Sequence, residues 1–287
     1  MNPDLTFDLL FRSLTESHAL LSPTSSSYGL HKLAATDLLV HTPLREATAR
    51  PFAFGPFGEI ALPYHAMGAR DTLDLFGLDE LIIFAFYWAN RARYRRVLDI
   101  GANVGLHSII LSRCGFEVTS FEPDPRHFTW LNENLQLNHC TTVRAVAAAV
   151  SDHDGRAEFV RVLGNTTGSH LAGAKDSYGE LEKFPVEIQS FPRVAADADL
   201  VKIDAEGHEP EILFALPVER WQRCDAMLEV GTARNAERIF QHFHGTGVHL
   251  FAQKIGWQAA QSVAEMPTSH REGSLFLSAR AAMPWGA

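Results

Sequence analysis

Acid and imidazole side chains able to move a proton or hold a cation gather in one stretch of this 287-residue chain, Leu200-Val201-Lys202-Ile203-Asp204-Ala205-Glu206-Gly207-His208-Glu209-Pro210. It reads as a buried strand ending in Asp204, a tight turn, and a helix that begins near Pro210, where proline is favoured in the first turn. Two carboxylates around a sharp strand-end turn are costly unless paired or used. Asp204 or His208 could take a proton from a bound substrate, and Glu206 is the third candidate. With Glu229, at the end of the next strand, Asp204, Glu206 and His208 could also hold a divalent cation, but no metal is assigned. The plainer roles are helix-dipole compensation for Glu209 and Glu211 and a turn cap for His208.

These groups need strands to place them. The strongest positioning signal is Arg96-Val97-Leu98-Asp99-Ile100-Gly101-Ala102-Asn103-Val104-Gly105-Leu106-His107-Ser108. Val97, Leu98 and Ile100 suit a central parallel strand, and Gly101 and Gly105 let the backbone turn sharply and approach a ligand. A side chain at Gly101 is therefore expected to block a ligand while leaving the fold intact. The helix from Leu106 to about Cys114 aims its free N–H groups at whatever lies over the turn. Phe116 to Phe121 reads as a second strand that delivers Glu122, where a carboxylate can accept both ribose hydroxyl protons of an adenosine.

The turn is not of the dinucleotide type, because Asn103 stands where Gly-x-Gly-x-x-Gly needs glycine. Asp99, just ahead of it, disfavours a pyrophosphate and favours a cation such as the amino or sulfonium group of S-adenosylmethionine. Ligands of open parallel sheets sit over the C-terminal strand ends, so Asp99, Glu122, Asp204 and Glu229 are expected on one rim, repelling one another until a cation arrives.

Four segments lie in register: Val-Leu-Asp-Ile-Gly-Ala-Asn-Val-Gly at 97–105, Phe-Glu-Pro-Asp-Pro at 121–125, Ala-Val-Ser-Asp-x-x-Gly at 149–155 and Val-Lys-Ile-Asp-Ala-Glu-Gly-His-Glu at 201–209. Together they resemble the FkbM-type family of S-adenosylmethionine-dependent methyltransferases, over roughly residues 80–230. The resemblance implies an α/β class I methyltransferase (Rossmann-like) fold, with a mostly parallel seven-stranded sheet whose last strand is antiparallel, and S-adenosyl-L-methionine as cofactor. The cofactor-binding residues it implies are Asp99, Gly101, Ala102, Asn103, Gly105, His107 and Ser108 at the first turn, Glu122 and Pro123 after the second strand, Ala149, Val150 and Ser151 across the adenine, and Asp204. The catalytic candidates are the three read from the turn itself, Asp204, Glu206 and His208. Spacing alone leaves Ser151 and Asp152 equally readable as a plain turn before a hairpin at Ala157 to Val162. The family's usual acceptors are hydroxyl groups, so the resemblance implies O-methylation of a sugar or natural product. N-methylation, nicotinamide-dependent oxidoreduction and a non-catalytic nucleoside-binding module are the alternatives.

Composition bounds the class. Lys and Arg number 25 against 34 Asp and Glu, a formal net charge of −9 with no basic block, which disfavours a nucleic-acid partner. Cys114, Cys140 and Cys224 are odd in number and lack Cys-x-x-Cys spacing, so they read as core thiols of a reducing compartment. The N-terminus carries no basic n-region, and the longest apolar run, Leu81 to Ala89, is too short to cross a bilayer. A cytoplasmic protein with a small-molecule acceptor and no membrane partner is expected.

Residues 1–77 read as a helical and hairpin extension and 78–287 as the cofactor-binding domain. Leu5, Leu9, Leu10, Leu14 and Leu21 give a helical spacing that ends at a breaker, Ser22 to Ser27, and this helix is a candidate homodimer contact. Pro51 to Met67 reads as a hairpin that either walls the substrate site or covers a sheet edge. Residues 78–94 read as an apolar helix whose Glu80 either compensates the dipole or reaches the cofactor. Thr142 to Ala148 is the third strand, Ala226 to Val230 the fifth, and Val248 to Gln253 and Ser274 to Ser278 the paired last strands. The stretch 163–184 is read as a mobile or substrate-side loop, and Pro267 to Gly273 as a second candidate for holding substrate.

Overall fold

The computed structural model describes residues 3–285. It begins with helices α1 (Pro3–Glu16) and α2 (Ser26–Val40), followed by the two-stranded hairpin β1 (Phe52–Ala53) and β2 (Glu59–Ile60). The serines read as a breaker do separate the two helices, and they also start α2: the Ser25 hydroxyl accepts the Tyr28 N–H at 3.0 Å, an N-cap. Phe7 and Phe11 of α1 interlock with Phe54 and Phe57 of the hairpin, which in turn meet Phe84 of α3 (Leu78–Ala89). The hairpin is thus core packing, and its side chains wall neither cavity described below. Asp79 of α3 joins the ends of the chain, accepting from Tyr28 of α2 at 2.8 Å and from Gln253 at 2.7 Å.

The chain then alternates through β3 (Arg96–Ile100), α4 (Leu106–Arg113), β4 (Glu117–Phe121), α5 (Pro125–Leu137) and β5 (Val143–Val146). An excursion follows: β6 (Ala149–Ser151), β7 (Gly155–Val162), β8 (His170–Leu171), β9 (Leu181–Ser190) and the short α6 (Phe191–Val194). The alternation resumes with β10 (Leu200–Ile203), α7 (Glu209–Phe214), β11 (Asp225–Leu228), α8 (Ala233–Phe243), β12 (His249–Ala252), β13 (Gln258–Ala259) and β14 (Leu275–Ser278).

The main sheet runs β13-β12-β14-β11-β10-β3-β4-β5. Strands β5, β4, β3, β10 and β11 are parallel, and β14 enters antiparallel between β11 and β12. This is the class I methyltransferase arrangement, with β13 as an edge strand beyond the seven expected. β10, β11 and β14 are buried along their whole length, as strands covered on both faces must be. The order switches direction between β3 and β10, and ligand crevices in such sheets open at that point.

The excursion folds as a second sheet, β6-β9-β7-β8; the hairpin expected at Ala157 to Val162 is the single strand β7 of it, and the rest of the sheet was not foreseen. The stretch 163–184, read as a loop, supplies β8 and the start of β9. Among the described residues, no helix is long and apolar enough to cross a membrane.

Candidate active site

A cleft opens over the C-terminal ends of β3, β4 and β10, where ligands of open parallel sheets sit. Gly101 and Asn103 line it from the first turn, Glu122 and Pro123 from the end of β4, Ala149 and Val150 from β6, and Asp204, Glu206 and His208 from the turn after β10. Thr166 and Ser169 of the turn between β7 and β8, and His170 of β8, also line it.

Glu122 is held by both oxygens: Oε2 accepts the Asn103 N–H and Oε1 the Asp124 N–H, each at 2.8 Å. The first bond fixes Asn103 in the left-handed region, with φ of 52°. Burial pushes the Glu122 carboxyl up to about 8, against those two N–H donors. Asp124 caps α5 and is gripped by Arg161 of β7, with Nε to Oδ2 and Nη2 to Oδ1 both at 2.6 Å. The second sheet therefore clamps the loop that carries Glu122.

Gly101 corrects an expectation. Its φ is +76°, and a Cβ there would lie 1.9 Å from the Asp204 carbonyl oxygen. What fills the space is the end of β10, so this glycine lets two strand ends meet. Gly105 is likewise a packing glycine, since its Cβ would come within 2.5 Å of Leu131, and it lines neither cavity.

A family model described as the Methyltransferase FkbM domain matches residues 99–253. The chain belongs to the FkbM methyltransferase domain family. It is 26% identical over 162 residues to methyltransferase sdnD of Sordaria araneosa, covering 44% of this chain and 62% of that protein. A solved S-adenosylmethionine-dependent methyltransferase from Agrobacterium tumefaciens is 11% identical, with TM-score 0.43 over 83% of this chain and 71% of its own. Cofactor-bound Rv0187 from MTB is 18% identical, with TM-score 0.39 over 68% and 78% respectively.

Beside the main cleft lies a smaller cavity that shares Gly101, Asn103 and Asp204 and adds Glu80, Ala102, His107 and Lys202. Lys202 reaches it from β10: its Nζ donates to the Gly101 carbonyl at 3.1 Å and lies 3.6 Å from Asp99 Oδ1 and 3.5 Å from Asp204 Oδ2. Burial works against its charge, yet Asp204, Asp99 and Glu80 hold its pKa above the ordinary lysine value. Glu80 accepts from His107 Nε2 at 2.7 Å, and Tyr87 meets the other ring nitrogen at 3.2 Å. Burial opposes ionisation of Glu80, but His107 and Lys202 outweigh it and keep the carboxyl below its usual range. Glu80 thus lines the smaller cavity and pairs with His107, so dipole compensation is not its whole role.

Three further expected contacts lie behind the cavities. Asp99 is fully buried, accepts the Ser108 hydroxyl at 2.6 Å with Oδ2, and has Oδ1 3.6 Å from Lys202 Nζ, so its charge faces a lysine. Ser108 is spent on Asp99 and Ser120. Ser151 turns its hydroxyl to Asp152 and His208 and lines neither cavity.

Around the turn after β10, Glu206 takes a left-handed φ of 51° and pairs with Lys175 of the 172–180 loop. Burial first, then Asp204, raises its carboxyl to about 7. Glu209 braces the turn from within, its Oε1 accepting the Ala205 and Gly207 N–H groups at 3.1 and 2.9 Å. Glu229 sits past β11, its pKa raised by burial and by Asp204 and Glu206. Among the described residues, no three His, Cys, Asp or Glu side chains are grouped to hold a metal. Pro267 to Gly273 lines neither cavity. Sequence reasoning missed Lys202, although a lysine inside an apolar parallel strand is itself a signal, because it must find buried acids.

Proposed function

We propose that this chain transfers a methyl group from S-adenosyl-L-methionine to a hydroxyl oxygen of a small molecule such as a sugar or natural product. The observation that carries this reading is Glu122, a carboxylate at the end of the second parallel strand with both oxygens pre-positioned at the switch point, where a ribose is bound in such sheets. Glu122, Pro123, Ala149 and Val150 would hold the adenosine. In the smaller cavity Lys202 would meet the methionine carboxylate, and Glu80 and Asp204 the amino group. Asn103 Oδ1 is buried without a hydrogen-bond partner among the described residues, an acceptor that a ligand donor would satisfy.

The bound cofactor supplies an electrophilic methyl carbon on a sulfonium. The chain's residues align the acceptor with it and exclude water, effects that contribute about 7–11 kcal/mol when near-attack geometry is reached. Proton removal falls to the cleft-lining His208, kept neutral because burial lowers its pKa, with Asp204 and Glu206 beside it. The name of the Sordaria araneosa relative, a methyltransferase, agrees, and a hydroxyl acceptor follows the usual habit of the family. Mass spectrometry after incubation with the cofactor and a metabolite extract should find products heavier by one CH₂ unit. Calorimetric binding of a nicotinamide dinucleotide, with none of S-adenosylmethionine or S-adenosylhomocysteine, would overturn the reading.

A further inference from the structure

The segment expected to touch adenine makes a different connection. Ser151 Oγ donates to Asp152 Oδ1 at 2.9 Å and lies 2.9 Å from His208 Nε2. A hydroxyl has one proton to give, and an ionised carboxylate can only accept. Asp152 is held below the usual carboxylate range, first by its bond to His153 and then by Ser151, so it is the acceptor and the serine oxygen must accept from His208. That direction fixes the tautomer: the proton sits on Nε2 and the lone pair on Nδ1. Among the described residues, nothing hydrogen-bonds Nδ1, and His208 lines the cleft. Ser151 is buried, while Asp152 is exposed and shares its Oδ1 with His153 at 2.6 Å.

We propose that Ser151 and Asp152 are positioning residues that set the tautomer of His208, aim its Nδ1 at the acceptor hydroxyl, and stabilise the imidazolium it becomes. The inference rests on the methyl-transfer reading. The acceptor O–H bond breaks, its proton goes to Nδ1, and its electron pair stays on the oxygen, which forms the new bond to the methyl carbon as the carbon–sulfur bond breaks. The positive charge is then shared through Nε2–H and the Ser151 hydroxyl with the Asp152 carboxylate, before the proton leaves to water. The other charged groups facing His208 are Glu211 on α7, His153 beyond β6 and Arg238 on α8. Of these, Glu211 is paired with Arg238 at 2.8 Å, which leaves the Asp152 side as the directional one.

The test uses the full chain labelled with ¹⁵N-histidine, in wild type, Ser151→Ala, Ser151→Thr and Asp152→Asn. In the unliganded protein the His208 ring shifts should report the Nε2–H tautomer. That preference should be lost in Ser151→Ala and kept in Ser151→Thr, and the His208 titration should move to lower pH in Asp152→Asn. With an identified acceptor, kcat should fall about 10- to 100-fold in Ser151→Ala, less than the roughly 10²- to 10⁴-fold of losing a general base. KM for the cofactor should hold, and the pH inflection should move down in Asp152→Asn. An Nδ1–H tautomer in the wild type, or a His208 titration unmoved in both Ser151→Ala and Asp152→Asn, overturns the relay. A wild type that binds cofactor but methylates nothing overturns the activity reading instead, and the ring shifts still decide the relay.

Discussion

Glu122 braces two backbone N–H groups and is proposed to hold the ribose, and its substitutions should show both. Gln keeps one carbonyl oxygen, so either the Asn103 or the Asp124 N–H loses its partner, along with one of the proposed ribose contacts. Glu122→Gln should weaken S-adenosylmethionine binding about tenfold or more, since charged hydrogen bonds contribute roughly 1.5–3 kcal/mol. Calorimetric affinity that does not change would remove Glu122 from the site. Because burial holds this carboxyl near 8, much of it carries a proton at pH 7, while ribose hydroxyls and a sulfonium favour the ionised form. Cofactor binding should therefore release protons near pH 7 and tighten as pH rises towards 8, seen as a binding enthalpy that depends on the buffer. Gly101 is a packing residue: with Asp204 O in the path of a Cβ and φ at +76°, Gly101→Ala should lower stability in chemical denaturation by more than the roughly 1–2 kcal/mol of the positive φ alone. A variant of wild-type stability that merely fails to bind cofactor would restore the simpler reading of a ligand-clearance glycine.

Elements were readable where one physical cause sufficed. The apolar runs of β3, β10 and β11 follow from burial on both faces, and the strand-turn-helix after β3 follows from its glycines. α2 was hidden because its leucines do not mark one face: Leu30 and Leu33 are 69% and 71% exposed, which left the Ser25 cap as the signal, read as a breaker. β9 was hidden by Glu182, Lys183 and Glu187, which face solvent although the strand lies between β6 and β7. Arg161 was not readable at all, since its worth depends on Asp124, which only the tertiary fold brings to it. Breaking a buried ion pair leaves a charge uncompensated, at about 3–5 kcal/mol. Arg161 and Asp124 are 8% and 1% exposed in their side chains, so Arg161→Met should cost about that much stability. Adding Asp124→Asn should recover part of it in a double-mutant cycle; strictly additive losses would count against the clamp.

Across the molecule, two sets of buried groups give opposite responses to pH. His127, pushed down to about 4 by burial, bonds Thr166 at 2.9 Å, and both it and His65 stack on Trp130, at ring centroid distances of 5.3 and 4.6 Å. His65, His170 and His208 are also lowered, burial being the largest cause in each. A histidine depressed below its unfolded value of about 6.5 keeps its contribution above that pH and loses it as pH falls towards the folded value. The acids act in the other direction: burial raises Glu122 to about 8, Glu206 and Glu209 to about 7, and Glu229 well up. Groups raised above an unfolded value of about 4.3 favour folding while protonated and lose that advantage as pH rises through the folded value. Between about 4.3 and 6.5 the two sets oppose each other; from 6.5 to 8 the histidines are silent and the acids remain. The unliganded protein should therefore lose stability steadily from pH 6.5 to 8 in chemical denaturation, and S-adenosylmethionine should reduce that slope by taking up the exposed negative charge. A stability that is flat or rising over that interval without ligand would mean that these carboxyls are already ionised at pH 6.5, and Lys202 would then be carrying the charge of the whole rim.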